Sequence, residues 1–441
     1  MAIKKYKAHV LTAFVNICSF MVAAIFIFSG FTKAVDPVGG GIKIGEYLYA
    51  FGLNVMNNDG LLGGISILQS TIEFMVGIYL LLGMRRKLTS LLLLIIMMFM
   101  TLLTFYIAKT NAVSNCGCFG DAVSLNNWDT FYKNVVILAM SLVIAFNPMK
   151  IRKALRLKSE WMAKVYSFSI IIVVSLYSYH YLPIIDFRPF YIGQNIIKGM
   201  EIPKDAKPPV YETVFTLRKG NEVKKFTLEN YPDSTWQFVD SDTKLIEKGY
   251  EPEINNFALV DSETEEEVTT TVLNDKNFSF WLVMPYIEKA DNGVIDAVED
   301  IYDYCKLYGY NIYGMTSSGR EQIQEWKHNA GIDFPFCQAD DITLKTIIRS
   351  NPGLLLLHGG NIINKWSKNN LPDDEILTAR IEKLTSIYGT KENGIKGAFK
   401  YLCYFLIPLI FLIFADKYRA RRKSLKKPNN RPDLQQITVK S

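Results

Sequence analysis

Histidine and cysteine are scarce in this chain, four and six among 441 residues. His9, His180, His328 and His358 are scattered, and none stands at ligand-like spacing from a pair of cysteines. Two thiolates alone fall short of the four ligands a structural zinc site takes, so a metal centre is the weakest account of any cysteine here. No inverted repeat is evident, which removes the usual support for a transporter. No small-residue cleavage site follows the first apolar run, so that run reads as an uncleaved helix rather than a signal peptide. Lys and Arg, 49 against 43 Asp and Glu, gather beside apolar runs instead of forming one basic patch. That is the membrane pattern, and it argues against a nucleic-acid partner.

What is present is apolar sequence, 49% of the chain, clumped in the first 180 residues and near the C-terminus. Six runs meet the length of a bilayer span: Val10–Gly30, Leu61–Gly83, Leu88–Ala108, Phe131–Phe146, Ala163–Leu182 and Phe399–Phe414. The fourth and sixth are short, and must stand upright or borrow flanking residues. KKYK precedes the first, RRK joins the second and third, KIRKALRLK joins the fourth and fifth, and DKYRARRKSLKK follows the sixth. Every basic connection thus falls on one side. The positive-inside rule places both termini in the cytoplasm and the other loops, with residues 186–393, outside the inner membrane in the periplasm. The basic tail, Lys417 to Lys440, reads as part of that topology signal, with weak attraction to anionic lipid.

Between the third and fourth runs the chain reads VSNCGCFGDAVSL, Val113 to Leu125. Cys116 and Cys118 at i and i+2 just reach the Cα separation of a disulfide, and Gly117 removes a side-chain obstacle. So small a ring is strained, which favours exchange over scaffolding. Lys109 and Lys133 at the loop edges favour thiolate. Two other accounts stay open, a staple that closes the loop and a pair of unreactive thiols in a tight turn. Cys18 lies inside the first run, where a thiol packs as a small apolar group. Cys403 lies near the outer end of the last. For Cys305 and Cys337, in the polar middle, pairing, free thiols and core burial are all open, core burial foremost.

Three segments, FSGFTKAVDPVGGGIKIGEY, STIEFMVGIYLLLG and NCGCFGD, resemble the DoxX-like membrane family. The CGC loop is similar to its methylamine-utilisation branch, MauE. The resemblance covers about residues 10–150, and CGCFG is its most specific element. It implies a four-helix membrane bundle linked to quinone-coupled or thiol redox chemistry, and, for MauE, to maturation of a disulfide-rich periplasmic enzyme. For this chain it implies a thiol-redox role for Cys116 and Cys118, and it does not imply methylamine as substrate.

Glu73 stands near the middle of the second run. A carboxyl at that depth marks function by default, as a proton or quinone site, or else belongs to a polar cluster with Gln69, Ser70 and Thr71. Lys33 and Asp36, after the first run, are placed to pair at the outer interface. Glu46 and Tyr47 lie on an amphipathic stretch, Ile42 to Phe51, expected along the membrane surface.

The middle reads as soluble protein. Residues 186–255 alternate apolar and polar in short runs separated by turn residues, the pattern of β-hairpins. From Asn256, strands (FALVD, FSFWLVMP, YNIYGMTSS, DFPFCQAD) alternate with helices over Ala290–Leu307, Arg320–Asn329 and Ile342–Arg349. Ser318 is a candidate cap of the second helix. NPGLLLLHGGNIINKW closes as a hairpin at Gly359-Gly360. LPDDEILTARIEKLTSIYG then reads as helical. This order resembles the thioredoxin-like fold of the TlpA type over about residues 256–385. On that analogy Pro352 is the cis proline before a strand. The family's CxxC belongs just after FWLVM, where this chain reads PYIEKADNG without cysteine. That leaves no standard route for thiol exchange there and implies a domain kept for docking.

The expected fold class is a multi-domain membrane protein. It has an N-terminal α-helical transmembrane bundle (1–150), a basic loop with a fifth helix (151–185), a β-rich lead-in (186–255), an α/β thioredoxin-like domain (256–393), and a final span with a basic tail (394–441). The expected function is thiol–disulfide or quinone-linked redox work at the periplasmic face, carried by the CGC loop. Its partners would be the bilayer and a periplasmic thiol or disulfide client. No motif fixes a cofactor, and quinone is the one the chemistry suggests. The alternative is a non-enzymatic assembly or stress factor whose CGC pair is structural.

Overall fold

The computed structural model describes residues 2–53, 58–113, 117–123, 125–155, 157–207, 210–220, 222–233, 235–247, 249–255, 257–389 and 394–425. Cys116 and the basic tail from residue 426 lie outside them. Two compact units divide the chain, Met1–Arg188 with Glu392–Ser441, and Pro189–Lys391.

The first unit is helical: α1 (Ala2–Val35), α2 (Pro37–Ala50), α3 (Asp59–Leu82), α4 (Arg86–Thr110), a short strand β1 (Cys118–Asp121), α5 (Asn127–Phe146), α6 (Leu157–His180) and a C-terminal helix, Gly394–Leu425. Among the described residues six helices are long and apolar enough to cross a membrane, all but α2. The two short runs borrow polar residues. α5 starts at Asn127, where Asn126 accepts from the Asp129 amide at 2.7 Å. The last helix extends beyond Phe399–Phe414 at both ends. α1 stops at Val35 because Pro37 restarts the chain at a helix N-terminus, and Asp36 caps that start by accepting from the Gly39 amide at 2.9 Å. Gly83 ends α3 in the left-handed region at φ 64°. A Cβ there would strike the Arg152 carbonyl, so this turn and the 151–155 loop fit only around glycine.

Small residues let α1 and α3 approach closely, as helices in apolar surroundings require. A Cβ on Gly30 would lie 2.5 Å from the Phe74 amide nitrogen, and one on Gly77 would lie 2.8 Å from the Ile27 nitrogen and 3.0 Å from the Ala23 carbonyl. Both obstacles are backbone and cannot rotate away. Gly30→Ala is therefore expected to lower stability by about 1–3 kcal/mol or more, the usual cost of overpacking. A thermal melt of the detergent-solubilised protein checks this. An unchanged midpoint would show that the helices part easily.

The second unit holds two sheets. The segment 189–200 contains a short helix, α7 (Ile196–Met200). A three-stranded antiparallel sheet follows, β2 (Val210–Lys219), β3 (Glu222–Thr227) and β4 (Gln237–Glu247), in the order β3-β2-β4. Next come β5 (Val260–Asp261), α8 (Thr269–Leu273), β6 (Phe278–Met284), α9 (Ile295–Tyr308), β7 (Asn311–Thr316), α10 (Arg320–Ala330), β8 (Phe336–Gln338), α11 (Asp341–Ile347), β9 (Gly353–His358) and β10 (Asn361–Ser367). These strands order as β10-β9-β6-β7-β8-β5. β6, β7 and β8 run parallel, while β9, β10 and β5 are antiparallel to their neighbours. All seven residues of β6 are buried, as expected of a strand flanked on both sides and covered on both faces. Gly359 and Gly360, at φ 56° and 73°, make the two-residue turn between β9 and β10.

Three expectations change. Residues 189–200 are not part of a separate lead-in, because the Ile196 amide donates to the Gly360 carbonyl and the Ile362 amide to Gln194, extending the larger sheet at β10. LPDDEILTARIEKLTSIYG is not an α-helix but a chain of turns with short 3₁₀ segments. Its apolar residues Leu377, Ile381, Leu384 and Ile387 all enter the core, and side chains take the backbone groups a helix would have used. Tyr304 donates to the Ala379 carbonyl at 2.6 Å, and the Tyr310 hydroxyl accepts from the Ile381 amide at 3.0 Å. Finally, Ser318 does not cap α10. It accepts from the Ile287 amide at 3.0 Å and donates to Glu288 at 2.9 Å, tying down the segment after β6.

Cys305 and Cys337 are buried and unbonded. Burial pushes each thiol up to about 12 from an ordinary 9.0. Each therefore favours the folded state fully below about pH 9, and that contribution is lost as pH rises toward 12. Neither is expected to react with iodoacetamide at pH 8 until the protein is denatured, which intact-mass measurement reads. Native labelling of either would contradict this core.

Candidate functional site

Ser29 and Lys33 stand four residues apart on α1, and Gln69 and Glu73 four apart on α3, so each pair shares a helix face. The Lys33 ammonium donates to both Glu73 carboxylate oxygens, at 2.6 and 2.7 Å. Gln69 donates to Oε1 at 3.1 Å, and the Ser29 hydroxyl reaches Oε2 at 2.8 Å. The Lys33 and Glu73 side chains keep only 9% and 10% of their exposure. Burial at this depth is tolerable because each charge is paired and the carboxylate takes further donors.

The cluster reaches the cysteine loop. The same Ser29 hydroxyl lies 2.7 Å from the Cys118 carbonyl oxygen. One hydroxyl has one proton and faces two acceptors here. Ser29 therefore serves only one of the two at a time, and the carboxylate competes with the loop for its proton.

β1 begins at Cys118. Gly117 and Gly120 take φ 62° and 57°, and the Gly120 amide donates to the Gly117 carbonyl at 3.0 Å. This tight turn needs two left-handed residues, which glycine supplies without strain. Phe119 packs on Phe28, with ring centroids 5.8 Å apart. Lys133 does not stand free beside the loop, since its ammonium lies 4.3 Å from the Phe119 ring centre. Ser29, Lys33, Glu73, Cys118, Phe119 and Lys133 border a cavity of about 40 Å³. That space takes a few waters. Ligand pockets run to roughly 300–1,000 Å³, and Glu73 is already engaged by three side chains. The residues present do not fit a quinone ring at Glu73.

The structure therefore brings Cys118, Lys33 and Glu73 together. Lys33 does not pair with Asp36, because Asp36 is used as the cap of α2 and Glu73 lies within reach across the helix contact. Ser70 and Thr71 turn back to the Ile67 carbonyl of their own helix, leaving only Gln69 of the expected polar neighbours on Glu73. Glu46 pairs with Lys43 at 2.8 Å on α2. Ser29 was missed from sequence. Its one signal was the four-residue step to Lys33 on an otherwise apolar helix.

In the second unit, Pro352 follows a cis peptide from Asn351. Asn351 donates to the Tyr286 carbonyl at 2.9 Å and accepts from the Asp291 amide at 3.3 Å, so the cysteine-free segment 285–293 lies against it. Tyr286 donates to Asp341 at 2.5 Å, and Lys345 donates to Asp341 at 2.8 Å. The bond to Asp341 holds the Tyr286 phenol above its ordinary value. Burial alone would lift Asp341, but its donors Lys345 and Tyr286 outweigh burial and hold that carboxyl low. These groups bind one another, and no sulfur stands among them.

The apolar helices and the buried ion pair define a multi-pass membrane protein. Residues 11–147 match the family model of the methylamine utilisation protein MauE. Residues 211–248, the three-stranded sheet, match a domain of unknown function, DUF8463. No curated protein matches the chain. Among solved structures, the chain is similar to the solution structure of a candidate protein disulfide isomerase from Bacteroides thetaiotaomicron, with 11% identity, a TM-score of 0.24, and coverage of 30% of this chain and 86% of that one.

Proposed function

We propose that this protein is a membrane thiol–disulfide exchange component of the DoxX-like group, working through Cys116 and Cys118 at the periplasmic face of the inner membrane. The observation that carries the reading is the tie from the Cys118 carbonyl through Ser29 to the buried Lys33–Glu73 pair. A loop with only a structural turn has no need of a buried charge pair beneath it. The MauE likeness supports a redox-related role, and the one-sided Lys/Arg clusters support the orientation, with both termini in the cytoplasm.

The chemistry balances with a client disulfide as the only co-reactant. One thiolate of the pair attacks a client sulfur, forming a mixed disulfide and expelling the client's other thiolate. The second cysteine then attacks the mixed disulfide, forming the Cys116–Cys118 bond and releasing the client's first thiolate. Two electrons pass to the client, and the two protons shed by the pair are matched by the two its thiolates take up. The reverse sequence oxidises a client. Lys33, Glu73 and Ser29 act as positioning residues for the loop. The thioredoxin-like unit, inserted between the fifth and sixth spans, is tethered at both ends and offers a surface for docking clients at raised effective concentration.

Thiol trapping in cells tests this. A Cys116→Ser/Cys118→Ser variant is expected to shift the redox state of at least one outer-compartment protein. Unchanged redox states, with the variant present at normal level, would leave the pair as a structural turn.

A further inference from the structure

At the basic end of the helical unit lies a second cavity, of about 310 Å³. It is large enough for a small ligand or a lipid headgroup. Its chemistry is divided. Arg152, Lys417 and Ser19 line it together with Phe20, Leu81 and Ile413, which supply apolar wall. Among the described residues no carboxylate lines it. The acids nearby in sequence are engaged elsewhere, Glu160 facing Lys153 and Lys164 at 3.6 and 3.7 Å, and Asp416 accepting from Ser159 at 2.5 Å.

The site is built before anything enters it. The Arg152 amide donates to Asn16 Oδ1 at 2.8 Å, and Asn16 donates to the Lys150 carbonyl at 2.9 Å. Ala154 donates to the Leu82 carbonyl at 3.0 Å. Arg86 spends its guanidinium on the carbonyls of Met149 and Ile151, both at 2.8 Å. This loop is thereby fixed against α1, α3 and α4, and the exposed Arg152 side chain is carried on a rigid base. Phe20 keeps 63% of its exposure and continues the wall onto the outer apolar surface of the bundle.

We propose that this cavity binds an anionic glycerophospholipid. The phosphate and any further headgroup charge sit between Arg152 and Lys417, and the upper acyl chains lie along Phe20, Leu81 and Ile413. The apolar wall selects a lipid over free phosphate, and the two cations, neither in an ion pair among the described residues, select an anionic over a zwitterionic headgroup. The proposal does not depend on the thiol chemistry.

Native mass spectrometry of the full chain released from nanodiscs tests it, with equal phosphatidylglycerol and phosphatidylcholine of identical acyl chains. The wild type is expected to retain phosphatidylglycerol preferentially. Arg152→Gln/Lys417→Gln is expected to lose about 10- to 30-fold in that retention, from about 1 kcal/mol per basic residue. Lys87→Gln, a control charge loss outside the cavity, should lose less than 3-fold, and Arg152→Lys should retain most binding. Equal retention of both lipids, or equal losses in the double variant and the control, would overturn the site. Displacement of the lipid by millimolar inorganic phosphate would overturn the assignment to lipid.

Discussion

Replacing Glu73 with alanine is expected to leave little folded protein in the membrane. The change removes the partner of a buried ammonium, and breaking a buried pair from one side costs about 3–5 kcal/mol. That is comparable with the whole stability of many domains. Lys33 cannot snorkel out cheaply, because it keeps only 8% exposure and stands on the face packed against α3. Lys33→Met combined with Glu73→Leu removes both charges and is expected to recover most of the loss, since a well-packed apolar pair is often no less stable than a buried ion pair. The double variant lacks the carboxylate that competes for the Ser29 proton, so Ser29 is left to the Cys118 carbonyl and labelling of the loop should not increase while the bundle stays folded. Thermal unfolding of the wild type, Lys33→Met, Glu73→Leu and the double variant in detergent gives the coupling energy directly. A Glu73→Ala single variant as stable as the wild type would mean that the pair is solvated.

The second large effect concerns the sulfurs. Cys116→Ser leaves Cys118 able to attack a client disulfide but unable to complete the exchange. The mixed disulfide should therefore accumulate and survive non-reducing electrophoresis. Cys118→Ser gives the same outcome if either cysteine can attack first, and fewer adducts if Cys118 alone does. The pair of variants thus assigns the attacking thiol. Combining Cys116→Ser with Ser29→Ala should leave the trap working but alter its yield, because Ser29 positions the loop and does not touch the client.

Much of this was legible in the sequence, for reasons that differ from place to place. The spans announced themselves by length and apolarity, because a bilayer admits little else. The alternation from FSFWLVM to NIINKW was legible because buried parallel strands are continuous apolar runs and the Gly-Gly turn permits positive φ. The partner of Lys33 was not. Asp36 is three residues away and Glu73 forty, and only the glycine-mediated contact of α1 with α3 decides between them. LPDDEILTARIEKLTSIYG misled for a related reason. Its apolar spacing is helical, but its backbone groups are taken by tyrosines from α9 and from the Tyr310 position before β7, which no local pattern reports. The segment 189–200 looked like a lead-in because edge pairing to β10 is made by backbone groups that every sequence carries.

The most direct measurement of the central claim is a redox titration of the purified full chain. Cys116 and Cys118 are read by mass after alkylation, across a series of thiol–disulfide buffers. The proposed role predicts a reversible two-electron transition between dithiol and disulfide, with a potential above the roughly −300 mV below which structural disulfides lie. A pair that stays oxidised throughout the series, or that stays as two thiols under strongly oxidising buffer, would contradict it.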